Sequence, residues 1–350
     1  METGYSQRDF KRRIRAGMVG IGQHSYRCLL PTLHYLPVDL VAVCAHSNEA
    51  RAARTSAEYG CHYYLNPAEM YKNEELEAVF ICVSPQLHPG LVCEAFDSGL
   101  HVWLEKPPSM RASGVERMIE HRGDRVGVVG FKKAFMPVVD KALEIRDSLD
   151  FGNLRSILGV YPMSIPADGE KVLDSEELNN WLGNGVHPLS FLIALGGPVE
   201  SVTVHSGPSG YGVTVLAFKN GIMGTFHMAS GPLPMEAYYL YGDTWHCDIT
   251  NNTKLSLYRD YGPIGTHTFL PDGLDTGAMV WEAQNCRATL ENKSLFTQGI
   301  YAEMRYFCNC IIENKPARRG SLEFALEVMN VYEAGLGSHG KTIDLDRGIH

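Results

Sequence analysis

An alternation narrows the fold of this chain more than any other feature. Short apolar runs at residues 14–21, 40–45, 78–83, 101–104 and 126–131 are separated by amphipathic stretches at 25–35, 48–59, 88–98 and 109–121. Strand-length runs that each feed a helical stretch cannot fold back as hairpins. The crossovers make neighbouring strands parallel, and a parallel sheet buries both faces beneath its helices. The spacing predicts a doubly wound α/β domain over residues 14–136, with a short turn or helix opened by Asn66-Pro67. After Pro137 the pattern changes. Helical stretches at 138–149 and 188–195 lead into β-rich runs at 199–205, 212–218, 222–228, 237–241 and 245–249. Turn sequences such as Lys219-Asn220-Gly221 separate them, and helical periodicity returns at 299–313 and 321–336. Residues 137–350 are expected to form an α+β domain with an open, mostly antiparallel sheet, and residues 1–13 a flexible tail.

The 350 residues suit two domains of ordinary size. A formal net charge of −9 argues against nucleic-acid binding, which needs a basic surface. No apolar run approaches the ~18–20 residues of a membrane span, and the polar, basic N-terminus lacks the apolar core of a secretion signal. Nine cysteines are scattered singly, with no disulfide framework and no metal-ligand spacing. The expectation is a cytoplasmic protein with no metal, no membrane contact and no nucleic-acid partner.

The first motif is Gly20-Ile21-Gly22-Gln23-His24-Ser25, directly after an apolar run and opening a helix. Two glycines allow a tight turn and let a pyrophosphate approach backbone N–H groups at a helix start; Ser25 replaces the third glycine. A plain tight turn would share this pattern, but its place in the first β–α unit favours a dinucleotide. The carboxylate that would accept from an NAD ribose is missing at the end of the second run, which reads Ala45-His46-Ser47-Asn48. Its absence also removes a charge that would repel a 2′-phosphate, and His46, Ser47 and Arg51 are able to donate to one. The alternative is an ordinary turn with Asn48 as helix cap. The cofactor expected is NAD(P), with a slight preference for NADP.

The second motif set is Ser84-Pro85-Gln86-Leu87-His88 followed by Glu105-Lys106-Pro107-Pro108. Glu105-Lys106 ends a predicted strand, at the edge where open α/β sheets bind ligands. Taken alone, such a pair is usually a surface ion pair.

With these pieces the chain resembles the Gfo/Idh/MocA oxidoreductases, the family of glucose–fructose oxidoreductase and inositol dehydrogenase. The resemblance runs through Gly20-Ile21-Gly22, Ser84-Pro85 and His88, Gly99 to Val102, Glu105-Lys106-Pro107, residues 130–137, Gly152 to Leu154, Gly185-Val186-His187 and the helix at 321–334. It implies an N-terminal Rossmann domain and a C-terminal domain that binds substrate and assembles the protein into a homodimer or homotetramer. It also implies a sugar, sugar-derivative or cyclitol substrate. By resemblance Lys106 is the active-site lysine and His187 the acid/base. Ser84, Pro85, His88 and Glu105 line the cofactor crevice, and Lys132 or Lys133 contacts substrate.

One position departs from that pattern. Inositol-type members carry an aspartate four residues before the histidine, one helical turn away on the same face, where this chain has Gly183. Asn184 is neutral, though still a candidate substrate contact, and Ser190 stands where many members have another aspartate. The stretch 161–180 reads as a substrate-edge loop. Its Asp168, Glu170, Asp174, Glu176 and Glu177 are either solvated charges or a carboxylate for His187, and Trp181 is either a wall for a sugar ring or core. The leading reading is hydride transfer to or from a hydroxyl-bearing carbon. The alternatives are a redox-assisted glycosidase or lyase with tightly bound NAD, and a ligand-binding relative without catalysis.

Overall fold

The structure is a computed structural model and describes residues 10–231, 236–259, 277–283 and 293–345. Among these the chain forms two compact units. The first takes residues up to Phe135 with Glu176–Leu178 and Gly299–Met329; the second takes Met136–Ser175, Asn179–Gln298 and Asn330 onward. The helices near 300–329 thus group with the first unit, unlike the sequence expectation of one continuous domain over 137–350.

The first unit is built on a six-stranded sheet of β1 (Ile14–Val19), β2 (Val38–Cys44), β3 (His62–Tyr64), β4 (Ala78–Ile81), β5 (His101–Glu105) and β6 (Gly127–Gly130). Every pairing is parallel and the order is β3-β2-β1-β4-β5-β6. The order reverses between β1 and β4, and the crevice beyond the strand ends at such a point is where this architecture binds ligands. β1, β4 and β6 are almost wholly buried, as a sheet covered on both faces requires. The helix Ile300–Ile312 covers one face: Phe307 meets Phe80 edge-on at 5.6 Å, and Phe80 lies 5.9 Å from Trp103. All three rings are buried, each worth about 1.5–3 kcal/mol by transfer. Of the expected tail, residues 1–9 lie outside the described residues. Residues 12 and 13 are held down instead, Arg12 by Glu77 and Arg13 by Asp39.

The second unit carries a nine-stranded sheet, comprising β7 (Ser156–Pro162), β8 (Val199–Ser206), β9 (Gly212–Phe218), β10 (Met223–Ala229), β11 (Ala237–Tyr241), β12 (Trp245–Thr250), β13 (Lys254–Arg259), β14 (Met279–Glu282) and β15 (Ile343–Asp344). The order is β14-β13-β12-β11-β7-β10-β9-β8-β15, antiparallel except for the β7–β10 pair. Burial alternates along β7, β9, β11 and β13, so one face is packed and the other half-open. The helix Val186–Gly196 packs on the inner face and is buried almost all round. Its end is fixed by Asn220 Nδ2 and Arg146, which donate to the carbonyls of Gly196 and Leu195 at 2.8 and 2.7 Å. β7 was missed in the sequence because 155–162 is interrupted by Gly159 and Pro162. Residues 161–180 are likewise more than a loop: they finish β7 and form the helix Gly169–Ser175.

Candidate functional site

The glycine turn sits at the C-terminal end of β1. Gly20 has φ +90°, and a Cβ there would lie 2.0 Å from the Cys82 carbonyl oxygen, so only glycine fits. Gly22 faces open space, with no heavy atom within 4 Å of where a Cβ would be. That pairing of a closed turn with a bare backbone fits a pyrophosphate. Ser25 is buried and donates to the Gly20 carbonyl at 2.7 Å, which closes the turn. The helix behind it opens as one wide π-turn, Ser25–Leu29, ahead of Pro31, which has no N–H to continue a regular ladder. Ile21 is core; Gln23 is exposed and His24 partly so.

His24 ties this turn to the second motif. Its Nε2 lies 3.4 Å from Glu105 Oε2, and hydrogen bonding to Cys28 and to Glu105 holds the imidazole up to about 9. Gly130 makes room for the arrangement, since a Cβ there would strike the Trp103 ring at 2.6 Å and meet Glu105 Oε2 at 3.3 Å. Burial pushes the Lys106 ammonium below the usual lysine range; the Lys132 charge adds to that, while Glu105 and Glu303 oppose it. Such a lysine donates a hydrogen bond to an oxygen and gives up a proton more readily than a surface lysine. Of the alternatives at 132 and 133, Lys132 is half-buried and shares this field, whereas Lys133 is buried at 4% exposure.

His88 departs from expectation. It is fully buried, its ring Nδ1 is 3.0 Å from the Pro107 carbonyl oxygen, and burial lowers its pKa. It braces the Lys106–Pro107 turn from beneath rather than lining the crevice; Pro85 is buried beside an exposed Ser84. At the end of β2, Ala45 is half-buried with His46 and Ser47 exposed after it. Asn48 caps the next helix, its side chain accepting from Arg51 N at 2.9 Å.

Sequence reasoning passed over Glu303. This carboxyl is 1% exposed, its Oε2 has no hydrogen-bond partner, and burial and then Glu105 raise its pKa well above the usual range against Lys132 and Lys106. The signal was available: 303 falls on the apolar stripe Ile300, Met304, Phe307, Ile311, where a charged residue is out of place.

In the second unit His187 is on the first turn of Val186–Gly196, 7% exposed, after another π-turn, Trp181–Gly185, and just ahead of Pro188. Trp181 is core. It is fully buried, stacks on Phe226 at 6.2 Å, and donates from Nε1 to the Tyr332 carbonyl at 3.0 Å, so it is no wall for a sugar. Asn184 is exposed and donates to Asn180 Oδ1 at 2.5 Å; Asn180 donates in turn to Ser164 Oγ at 3.4 Å. Asp168, Glu170, Asp174, Glu176 and Glu177 are all exposed.

Residues 14–131 match the model of an oxidoreductase family with an NAD-binding Rossmann fold, GFO_IDH_MocA. Over that stretch the chain is similar to the Gfo/Idh/MocA oxidoreductases. Among similar proteins, a dTDP-3,4-didehydro-2,6-dideoxy-alpha-D-glucose 3-reductase of Streptomyces violaceoruber is 26% identical over 73% of this chain and 76% of its own. Inositol 2-dehydrogenase of Salmonella typhimurium is 27% identical over 42% of this chain and 45% of the relative. Against other reductases of the first kind the matched stretch is only 33% of the relative's length. The fold matches levoglucosan dehydrogenase solved with NADH and levoglucosan, at TM-score 0.77 and 15% identity over 95% of this chain and all of that one.

Proposed function

We propose that this protein is an NAD(P)-dependent oxidoreductase that moves a hydride between nicotinamide and a hydroxyl-bearing carbon of a sugar, sugar derivative or cyclitol. The observation that carries the reading is the His24–Glu105 contact at 3.4 Å, which sets the pyrophosphate turn beside the strand end bearing Lys106. Gly20, Gly22 and the N–H groups that follow would hold the pyrophosphate, and the exposed His46 and Ser47 the adenosine ribose. Bound there, the dinucleotide supplies a two-electron hydride acceptor or donor. Lys106 donates a hydrogen bond to the reacting oxygen and stabilises charge developing on it. His187 takes up the hydroxyl proton in oxidation, while the C–H pair leaves as hydride and the carbonyl forms; reduction is the reverse. A positioned proton acceptor is worth about 10²–10⁴-fold in rate. Asn184 and Lys132 are assigned to substrate hydroxyls.

The relatives that act on a dTDP-linked sugar and on inositol support a carbohydrate or cyclitol substrate. The missing strand-end carboxylate favours NADP over NAD. The test is quenching titration with NADH and NADPH, then turnover of a sugar and cyclitol panel followed at the nicotinamide absorbance. No binding of either dinucleotide would sink the reading. The half-open sheet face, with Leu158, Val160, Val213, Val215 and Tyr239, is assigned to assembly with further copies. Sedimentation as a monomer at all concentrations would remove that assignment.

A further inference from the structure

The helix bearing His187 runs antiparallel to β7 along the inner face of the second unit's sheet. Its last residue, Gly196, lies against Phe218, where a Cβ would approach the ring to 2.5 Å; this is the edge at which β7 and β10 begin. Midway, Phe191 stacks on Tyr238 at 3.8 Å, and Tyr238 covers Gly159. At its entry Gly185 adjoins Met163, just past the end of β7. His187 is one turn back from Phe191, about 6 Å along the helix, and one inner-face step of a strand is about 6.8 Å. His187 therefore stands over the row beyond Gly159, which holds Tyr161, its β10 partner Met228, and Glu236, next along from the Val160–Ala237 pair.

Glu236 is 5% exposed. Its Oε2 accepts from the Tyr238 hydroxyl at 2.8 Å and its Oε1 from Asn252 Nδ2 at 2.5 Å. Burial and this carboxylate push the Tyr161 phenol up to about 12. The last helix brings Tyr332 and a second buried carboxyl, Glu333, into the same unit; the Tyr332 hydroxyl accepts from Asn179 at 3.2 Å.

We propose that Glu236, reaching in from the start of β11, is the positioning carboxylate for His187, doing from the sheet what an aspartate at Gly183 would do from the helix. The proposal rests on the reading of His187 as acid/base. Glu236 touches no substrate. Its field stabilises the imidazolium formed when His187 takes the hydroxyl proton, and its hydrogen bonds from Tyr238 and Asn252 fix where that field originates.

The test is a ¹⁵N-histidine NMR titration of the full chain, with the His187 signal assigned by its loss in His187→Asn. Glu236→Gln keeps the shape and removes the charge, and should lower the His187 midpoint by about one pH unit. Gly183→Asp added to it should restore the midpoint; no heavy atom lies within 4 Å of a Cβ at 183, so the side chain has room. Glu333→Gln should leave the midpoint in place. An unmoved midpoint in Glu236→Gln, or an equal shift in Glu333→Gln, overturns the proposal. If Glu236→Gln does not fold, the parent decides: a carboxylate partner puts the midpoint above the free-histidine value of about 6.5, and burial alone puts it below. Turnover of a panel substrate by His187→Asn within tenfold of the parent would instead remove the acid/base reading, whatever the titration shows.

Discussion

The two units enter their functional helices alike and build their sites differently. Each helix begins as a π-turn shortly ahead of a proline, Ser25–Leu29 before Pro31 and Trp181–Gly185 before Pro188. Prolines remove an N–H from the regular ladder, and the wide turn absorbs the loss. In the first unit the proposed chemistry lies at strand ends and on bare backbone. In the second the proposed site depends on residues 161 and 236, which the sheet register brings into one row, and on His187 of the helix above them. A site made from one β–α turn is readable in a contiguous stretch of sequence, whereas a site made from register is readable only once the strands are paired.

The largest effect that would break this contrast is at Lys106. Lys106→Met should lower turnover by about 10²–10⁴-fold while dinucleotide affinity stays within a few fold, because the glycine turn is untouched. Steady-state rates and NAD(P)H quenching on the same preparations check it. Activity within tenfold of the parent would mean that the strand-end lysine is structural, and that the first unit binds cofactor without shaping the chemistry.

The same contrast explains what the sequence made legible. The β–α alternation, the glycine turn and Glu105-Lys106 are local patterns, and their elements lie where the periodicity predicts. β7 was not legible, because Gly159 and Pro162 interrupt it, although it is the strand that joins β11 to β10 at the centre of the second sheet. Trp181 was ambiguous because an aromatic at a helix entry suits a wall or a core equally. The structure decides for core through Gly185, where a Cβ would come within 2.7 Å of the indole. His88 was assigned to the crevice from its place in a motif, yet its ring turns inward to Pro107. Glu236 and Glu303 carry no local motif, since one gains meaning from strand pairing and the other from helix packing.

A smaller effect sharpens the reading of the first unit's rim. With Ala45 where a ribose-binding carboxylate would stand, NADP should bind at least as well as NAD. Ala45→Asp should reverse that by supplying an acceptor for the 2′-hydroxyl and a charge against the 2′-phosphate. The expected change is about 1–3 kcal/mol, or roughly ten- to hundredfold in relative affinity. Titration of both dinucleotides against parent and variant measures it. A parent that binds NAD and ignores NADP would place ribose recognition on backbone groups, Ser47 or Asn48.

The last effect, read in stability rather than in activity or affinity, concerns Glu303, the buried carboxyl of the first unit, set against Glu236 of the second. Glu236 accepts two side-chain hydrogen bonds; Glu303 has an oxygen that accepts none. Burial raises the Glu303 pKa in the folded chain, so the native state keeps a proton that the unfolded chain releases above its ordinary value near 4.5. The stability gained from that proton is complete below the unfolded value and is lost as pH rises toward the folded one, at up to about 1.4 kcal/mol per pH unit. Glu303→Gln is neutral throughout and escapes the loss. Its stability relative to the parent should therefore increase from pH 5 to pH 8, as followed by urea unfolding of the full chain. An ionised Glu303 locked to Lys106 or Lys132 predicts the opposite: breaking a buried pair would cost the variant about 3–5 kcal/mol. That outcome would make the two buried glutamates alike, each a charge held for a basic partner, and would move Glu303 into the machinery around Lys106.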